Sequence, residues 1–92
     1  MSDDINHIVN NIPRLEWACR RGMLELDVLL GNFLAEAYSA LSLDDKKLFV
    51  RLLAEADPDL FAWIMGHAIP TNPEFLTITE AIRRHAQSRL QS

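Results

Sequence analysis

Arg20-Arg21-Gly22-Met23-Leu24-Glu25-Leu26-Asp27 is the stretch from which the fold is read. Two arginines, a glycine and two acids lie between segments whose apolar residues recur at helical spacing. A turn between two helices is required here, and it carries the densest local charge in the chain. Cations suit the last turn of one helix and anions the first turn of the next, each contributing about 0.3–1 kcal/mol when exposed. Gly22 supplies the left-handed residue that commonly ends a helix.

On the C-terminal side, Leu26, Leu29, Leu30, Phe33, Leu34 and Ala37 follow the i, i+3, i+4, i+7 pattern. The pattern predicts a helix from about Met23 to Tyr38, with Leu24, Val28 and Tyr38 widening its apolar stripe. Gly31 in its middle costs about 1 kcal/mol against Ala. It marks either a bend or a close approach by a neighbouring helix, and Asn32 after it could cap a restarted helix. On the N-terminal side a helix is predicted from about Pro13 to Arg21. Pro13 suits the first helical position, Leu15, Ala18 and Cys19 form the stripe, Trp17 lies beside it, and Arg14, Arg20 and Arg21 face away.

Three more helices complete the chain. Ser42 and Asp45 have the spacing of an N-cap and its third residue, starting a helix over about Leu43 to Ala56 with Leu48, Phe49, Leu52 and Leu53 on one face. Asp57-Pro58 reads as a cap followed by proline, opening a helix over about Pro58 to Met65. Leu60, Phe61, Ile64 and Met65 point inward there, and Gly66 stops it. His67 to Thr71 is a loop. Asn72-Pro73 repeats the cap-and-proline device before a helix over about Pro73 to Leu90. Its Phe75, Ile78, Ile82, Ala86 and Leu90 are helically spaced, and Arg83, Arg84, His85 and Arg89 complement its negative end. No alternating strand pattern occurs. The prediction is an all-α, single-domain compact bundle of five helices with short loops, spanning 1–92. Residues 1–11 form a flexible tail with at most one turn around Ile5 and Ile8.

Composition bounds the function. The chain has 92 residues, 49% of them hydrophobic, and a net charge of −4. One core can be built, and the whole molecule does not attract nucleic acid or an anionic membrane. Cys19 is alone, so neither a disulfide framework nor a zinc site is available. The start, Met1-Ser2-Asp3-Asp4, is acidic and does not read as a presequence. No apolar run approaches the ~20 residues needed to span a bilayer. A soluble cytoplasmic protein is predicted.

Chemistry is sparse. His7, His67 and His85 have no second ligand at metal-binding spacing. No serine is placed for a nucleophilic triad, and no glycine-rich loop cradles phosphate. Cys19 sits among apolar residues and is read as an inert, buried thiol. Trp17 and Trp63 are anchors of the core or, if one is exposed beside Arg21, a hot spot for a partner. The Arg20–Asp27 corner therefore keeps two readings: capping charges, or a turn whose outer face recognises a protein.

Two motifs add to this. Trp17-x-Cys19-Arg20-Arg21-Gly22-Met23-Leu24-Glu25-Leu26-Asp27, followed by Asp57-Pro58-Asp59-Leu60-Phe61-x-Trp63-Ile64-Met65-Gly66, resembles the small assembly factors of succinate dehydrogenase. These flavinylation factors occur in bacteria and mitochondria, and bacterial members also carry an older label as an antitoxin. The resemblance covers roughly residues 12–70. It implies a five-helix fold and a role that is not enzymatic. Such a factor binds the flavoprotein subunit of succinate dehydrogenase, and in some bacteria that of fumarate reductase, and promotes covalent FAD attachment there. It holds no cofactor or metal of its own. The family's signature carries over as Arg21, Gly22 and Glu25, flanked by Arg14, Trp17, Arg20 and Asp27 as further partner-binding candidates. A cytoplasmic monomer is the expected state. The rival readings are an antitoxin-type regulator that binds a different protein, and a small nucleic-acid-binding regulator, which the acidic charge disfavours.

Overall fold

The computed structural model describes residues 5–91, with side chains from His7 to Leu90. Met1-Ser2-Asp3-Asp4 and Ser92 lie outside the described residues. A single turn, α1 (Ile5–Ile8), precedes five helices of seven or more residues. These are α2 (Ile12–Ala18), α3 (Leu24–Glu36), α4 (Leu43–Leu52), α5 (Asp57–Ile64) and α6 (Phe75–Gln91). A short 3₁₀ turn, Tyr38–Ala40, follows α3. No strand occurs among the described residues. The expected all-α bundle of five helices is thus observed.

The long helices α3 and α6 pack on each other and organise the rest. α2 and α5 lie against α3, while α4 and α5 lie against α6. The shared core includes Leu15, Leu26, Leu30, Phe33, Phe49, Leu52, Leu60, Ile64, Ile78 and Ile82, all essentially buried. Each such side chain contributes roughly 1.5–3 kcal/mol on leaving water. Phe33, Tyr38 and Phe49 form an aromatic centre, with ring centroids 5.6 Å apart for Phe33–Phe49 and 5.4 Å for Tyr38–Phe49.

The chain just before α2 is tied down. Val9 is buried, and its carbonyl accepts a 2.8 Å hydrogen bond from the Tyr38 hydroxyl. Asn11 caps α2 by accepting from the Arg14 backbone N–H, so the helix starts one residue before Pro13. The Tyr38 bond also bears on the end of α3. The chain leaves the α-helix after Glu36 and tightens to 3₁₀, rather than running as a helix to Tyr38.

Ser42 caps α4 as predicted, its Oγ accepting from the Asp45 N–H at 3.1 Å. At the end of α5, the Gly66 N–H donates to the Trp63 carbonyl and the His67 N–H to the Ala62 carbonyl. Gly66 has φ +79° there, the left-handed stop that the sequence predicted. The Phe61 and His67 rings meet edge to face across this stop. Asn72 does not start α6 directly. Its Oδ1 accepts from the Glu74 N–H, and the helix begins at Phe75. Near the other end of α6, His85 and Arg89 both reach Glu36 of α3. These contacts, Arg89's above all, hold the Glu36 carboxyl below its ordinary range.

Several apolar residues on the predicted stripes face outward instead. Leu24, Val28, Met65 and Leu90 are exposed. α3 also runs unbroken through Gly31, with no restart at Asn32. Nothing lies within 4 Å of where a Gly31 Cβ would stand. No close intramolecular approach explains this glycine.

Candidate functional site

The corner between α2 and α3 is held by one side chain. Arg21 Nε donates to Asp57 Oδ1 at 2.7 Å. Its Nη1 donates to the carbonyls of Ala18, at 3.1 Å, and Leu53, at 2.7 Å. Its Nη2 donates to the Glu55 carbonyl at 2.8 Å. Four of the five guanidinium N–H groups are therefore engaged inside the molecule.

The arrangement follows from helix ends. Ala18 closes α2, and Leu53 is the residue just past α4. Their carbonyls are among those a helix leaves without an intrahelical partner. Asp57 opens α5, where a carboxylate is favoured. One cation thus sits at the negative ends of two helices and pairs with an acid at the positive end of a third.

This corrects three expectations. Arg21 does not face away; its side chain is 15% exposed and lies past the end of α2. α2 and α4 stop earlier than predicted. In a continued α2, the Ala18 carbonyl would accept from the Gly22 N–H. Here it takes Arg21, while the Gly22 N–H turns to Asp27. Finally, Asp57 is not a cap. Ala56 holds that position without a side-chain bond, and the Asp57 carboxylate serves Arg21.

Asp27 completes the turn. Its Oδ1 accepts from the Arg21 backbone N–H at 2.6 Å and its Oδ2 from the Gly22 N–H at 3.3 Å. Gly22 has φ +84°, but it lies three residues beyond Cys19, the C-cap of α2. It redirects the chain into α3 rather than terminating α2. A Cβ built on it meets nothing within 4 Å, so the backbone is open to the outside.

The other predicted residues face solvent. Trp17 is 71% exposed, with the Arg20 guanidinium 5.5 Å above its ring. Arg14 is exposed and lines a shallow hollow with Trp17, Ala18 and Arg20. Glu25, in the first turn of α3, is exposed, and its carboxylate has no ion pair or hydrogen bond among the described residues. The seven predicted residues therefore divide. Arg21, Gly22 and Asp27 build the corner, whereas Arg14, Trp17, Arg20 and Glu25 are displayed on it. Asp57, read from sequence as a cap, belongs with the builders. Its signal was weak, because an acid before proline is the ordinary start of a helix.

Beside the corner an open groove of about 580 Å³ runs between α2 and α3. Glu16, Arg20 and Asp27 edge it, and Cys19, Val28, Gly31 and Leu34 are among its apolar lining. Leu24, Val28, Gly31 and Ala35 fall at i, i+4, i+7 and i+11 on α3, one face of that helix. Burial pushes the Cys19 thiol up to about 12, outweighing the nearby Arg21 cation, so it is no nucleophile at neutral pH. Among the described residues, no group of three His, Cys, Asp or Glu side chains could hold a metal ion. No described helix is long and apolar enough to cross a membrane.

The corner's converging backbone N–H groups are already satisfied by Asp27. They offer no cradle for the pyrophosphate of a dinucleotide, and two acids edge the adjoining groove. The donor set fits protein recognition better than a resident flavin.

Comparison with known proteins bears on this directly. The profile of a family described as Sdh5, flavinator of succinate dehydrogenase, matches residues 13–86. A protein of Shewanella oneidensis named FAD assembly factor SdhE is 53% identical over 76 residues, 83% of this chain and 93% of the relative. Proteins of the same name match from Photorhabdus laumondii, 47% identical over 81 residues, and Colwellia psychrerythraea, 49% identical over 77. These alignments cover 88% and 84% of this chain, and 92% and 85% of the relatives.

Proposed function

The chain belongs to the family of flavinators of succinate dehydrogenase, and from that premise we propose how its α2–α3 corner works. It is an FAD assembly factor, not an enzyme, and promotes flavinylation of the succinate dehydrogenase flavoprotein. The flavoprotein subunit is its partner. The flavoprotein of fumarate reductase is a second candidate partner, and the factor acts as a monomer in the cytoplasm.

One observation carries the assignment of the surface. Glu25 is exposed and, among the described residues, unpaired, beside the bonded network of Arg21, Asp27 and Asp57. Glu25 and the Trp17–Arg20 pair are the recognition groups, on either side of the open backbone at Gly22. A stacked arginine over an exposed tryptophan is the composition of a binding hot spot. An unpaired carboxylate supplies orientation through a charged donor on the partner.

The chemistry of flavin attachment stays with the flavoprotein and its FAD. The factor contributes differential binding. It favours the arrangement of the partner in which the reacting groups are aligned, and a preference for that state is sufficient to raise the rate. No group of this chain needs to donate or accept a proton.

The test uses a strain lacking its own factor and complemented with Glu25→Ala or Gly22→Arg. Circular dichroism checks the fold, and in-gel flavin fluorescence of the denatured flavoprotein reads the product. Folded variants that lose the flavin band support the corner as the working surface. A normal band with both variants would overturn that assignment. A normal band without any factor would overturn the function itself.

A further inference from the structure

We propose that Asp57 is a positioning residue for this surface, acting through Arg21 to fix how α2 and α3 present their recognition groups. The assignment rests on the assembly-factor reading above and deepens it. The Asp57 side chain is half-buried, and its Oδ1 is taken by Nε of Arg21. It lies 36 residues from Arg21 in sequence, at the start of α5, and supplies the countercharge in the Arg21 network.

Replacing Asp57 removes that countercharge and leaves the rest of the network in place. The guanidinium keeps the carbonyls of Ala18, Leu53 and Glu55, which are neutral acceptors, and is held largely out of water without an anion. A cation in that position favours swinging outward to solvent. The α4–α5 link then loses its hold on the end of α2. The Arg21 backbone N–H, bonded to Asp27, is carried by the same residue, so the turn into α3 loosens with it.

Trp17 and Arg20 belong to the α2 side of this turn, and Glu25 to the first turn of α3. A partner that reads both sides requires a fixed relation between them. Restoring that relation on binding costs ordering entropy. Each side chain that must be ordered on binding costs about 0.5–1.5 kcal/mol of affinity. The contact groups themselves are untouched by a change at Asp57. Loss should therefore appear in affinity and recover at saturating factor.

The experiment titrates purified succinate dehydrogenase flavoprotein, carrying noncovalent FAD, with the full chain. The chains are wild type, Asp57→Ala, Asp57→Glu and Ile82→Val, the last a mild core destabilisation away from the corner. Kd, covalent flavin at saturation and Tm are read for each. Asp57→Ala should weaken binding about 10-fold or more, the cost of reordering a few side chains, while flavinylation at saturation stays near wild type. Asp57→Glu should recover most of the affinity, and Ile82→Val should lower Tm with Kd unchanged.

Wild-type affinity in folded Asp57→Ala would overturn the assignment. So would an equal loss in Ile82→Val, which would reduce the effect to stability. If Asp57→Ala does not fold, Asp57→Asn decides instead, because its oxygen can still accept from Nε. Weakened binding in that folded variant supports the assignment, and wild-type binding overturns it. A wild-type chain that neither binds nor flavinylates overturns the assembly-factor reading, and this one with it.

Discussion

Gly22 and Gly66 have nearly the same backbone angle, φ +84° and +79°, at two corners of one small molecule. They reach it for different reasons. Gly66 ends α5 through local bonds from its own N–H and that of His67. A Cβ there would stand 2.5 Å from Nη1 of Arg83, so the molecule's own chain covers it. Gly22 is bare, and its conformation is imposed by Asp27 from within α3, beside the Arg21 network tied to α4 and α5. One corner is a helix stop closed by its neighbours. The other is a turn held open by distant partners. Bare backbone that the fold spends long-range bonds to maintain is the more informative of the two.

The comparison breaks most severely at Arg21. Arg21→Ala removes four hydrogen bonds and leaves Asp57 without its partner. The expected loss is about 2–3 kcal/mol in urea unfolding. For a domain of this size, each kcal/mol lowers Tm by roughly 4–8 °C. Arg21→Lys should recover only part, because a single ammonium cannot reproduce the planar fork.

The glycines themselves come next. Gly22→Ala and Gly66→Ala should each cost about 1 kcal/mol, since both place a Cβ at positive φ. Gly66→Ala adds a clash with the tip of Arg83, which a flexible side chain can relieve. Thermal melts of Gly66→Ala with and without Arg83→Ala would isolate that addition, and pairing the two should bring its cost down to that of Gly22→Ala. A much larger cost at Gly22 would mean that the open corner is less open than it looks.

Gly31→Ala sharpens the contrast from the groove side. The position is mid-helix with free space around it, so the change should stabilise the chain by up to about 1 kcal/mol. A higher Tm accompanied by weaker flavoprotein binding would show that the groove floor is used by the partner. The smallest stability effect belongs to Glu25→Ala, expected within ±0.5 kcal/mol because the carboxylate has no partner among the described residues. A large Tm change there would place Glu25 among the residues that build the corner.

Helical spacing made the five helices legible, and the Ser42 cap and the Gly66 stop could be read one residue at a time. The ends of α2 and α4 could not. Their carbonyls turn to a guanidinium that arrives from more than thirty residues away or from beyond the helix end, and local pattern carries no trace of it. Periodicity also marks an apolar face without saying which part of it is covered. Leu24, Val28, Met65 and Leu90 fall on the apolar stripes that the spacing predicts, yet they are exposed. The resemblance picked out the chemically distinctive corner. It did not divide Arg21 and Asp27 from Glu25 and Trp17, because that division depends on tertiary partners.

The long reach of Arg21 has a consequence for how the chain comes off the ribosome. Everything displayed on the corner is encoded in the first third of the sequence, but the residues that lock it, Leu53 to Asp57, emerge much later. An incomplete chain can form α2 and α3 without setting the angle between them. The geometry of the proposed recognition surface is therefore set only in a chain synthesised through Asp57. The same side chain that shapes the corner also reports that the start of α5 has been made.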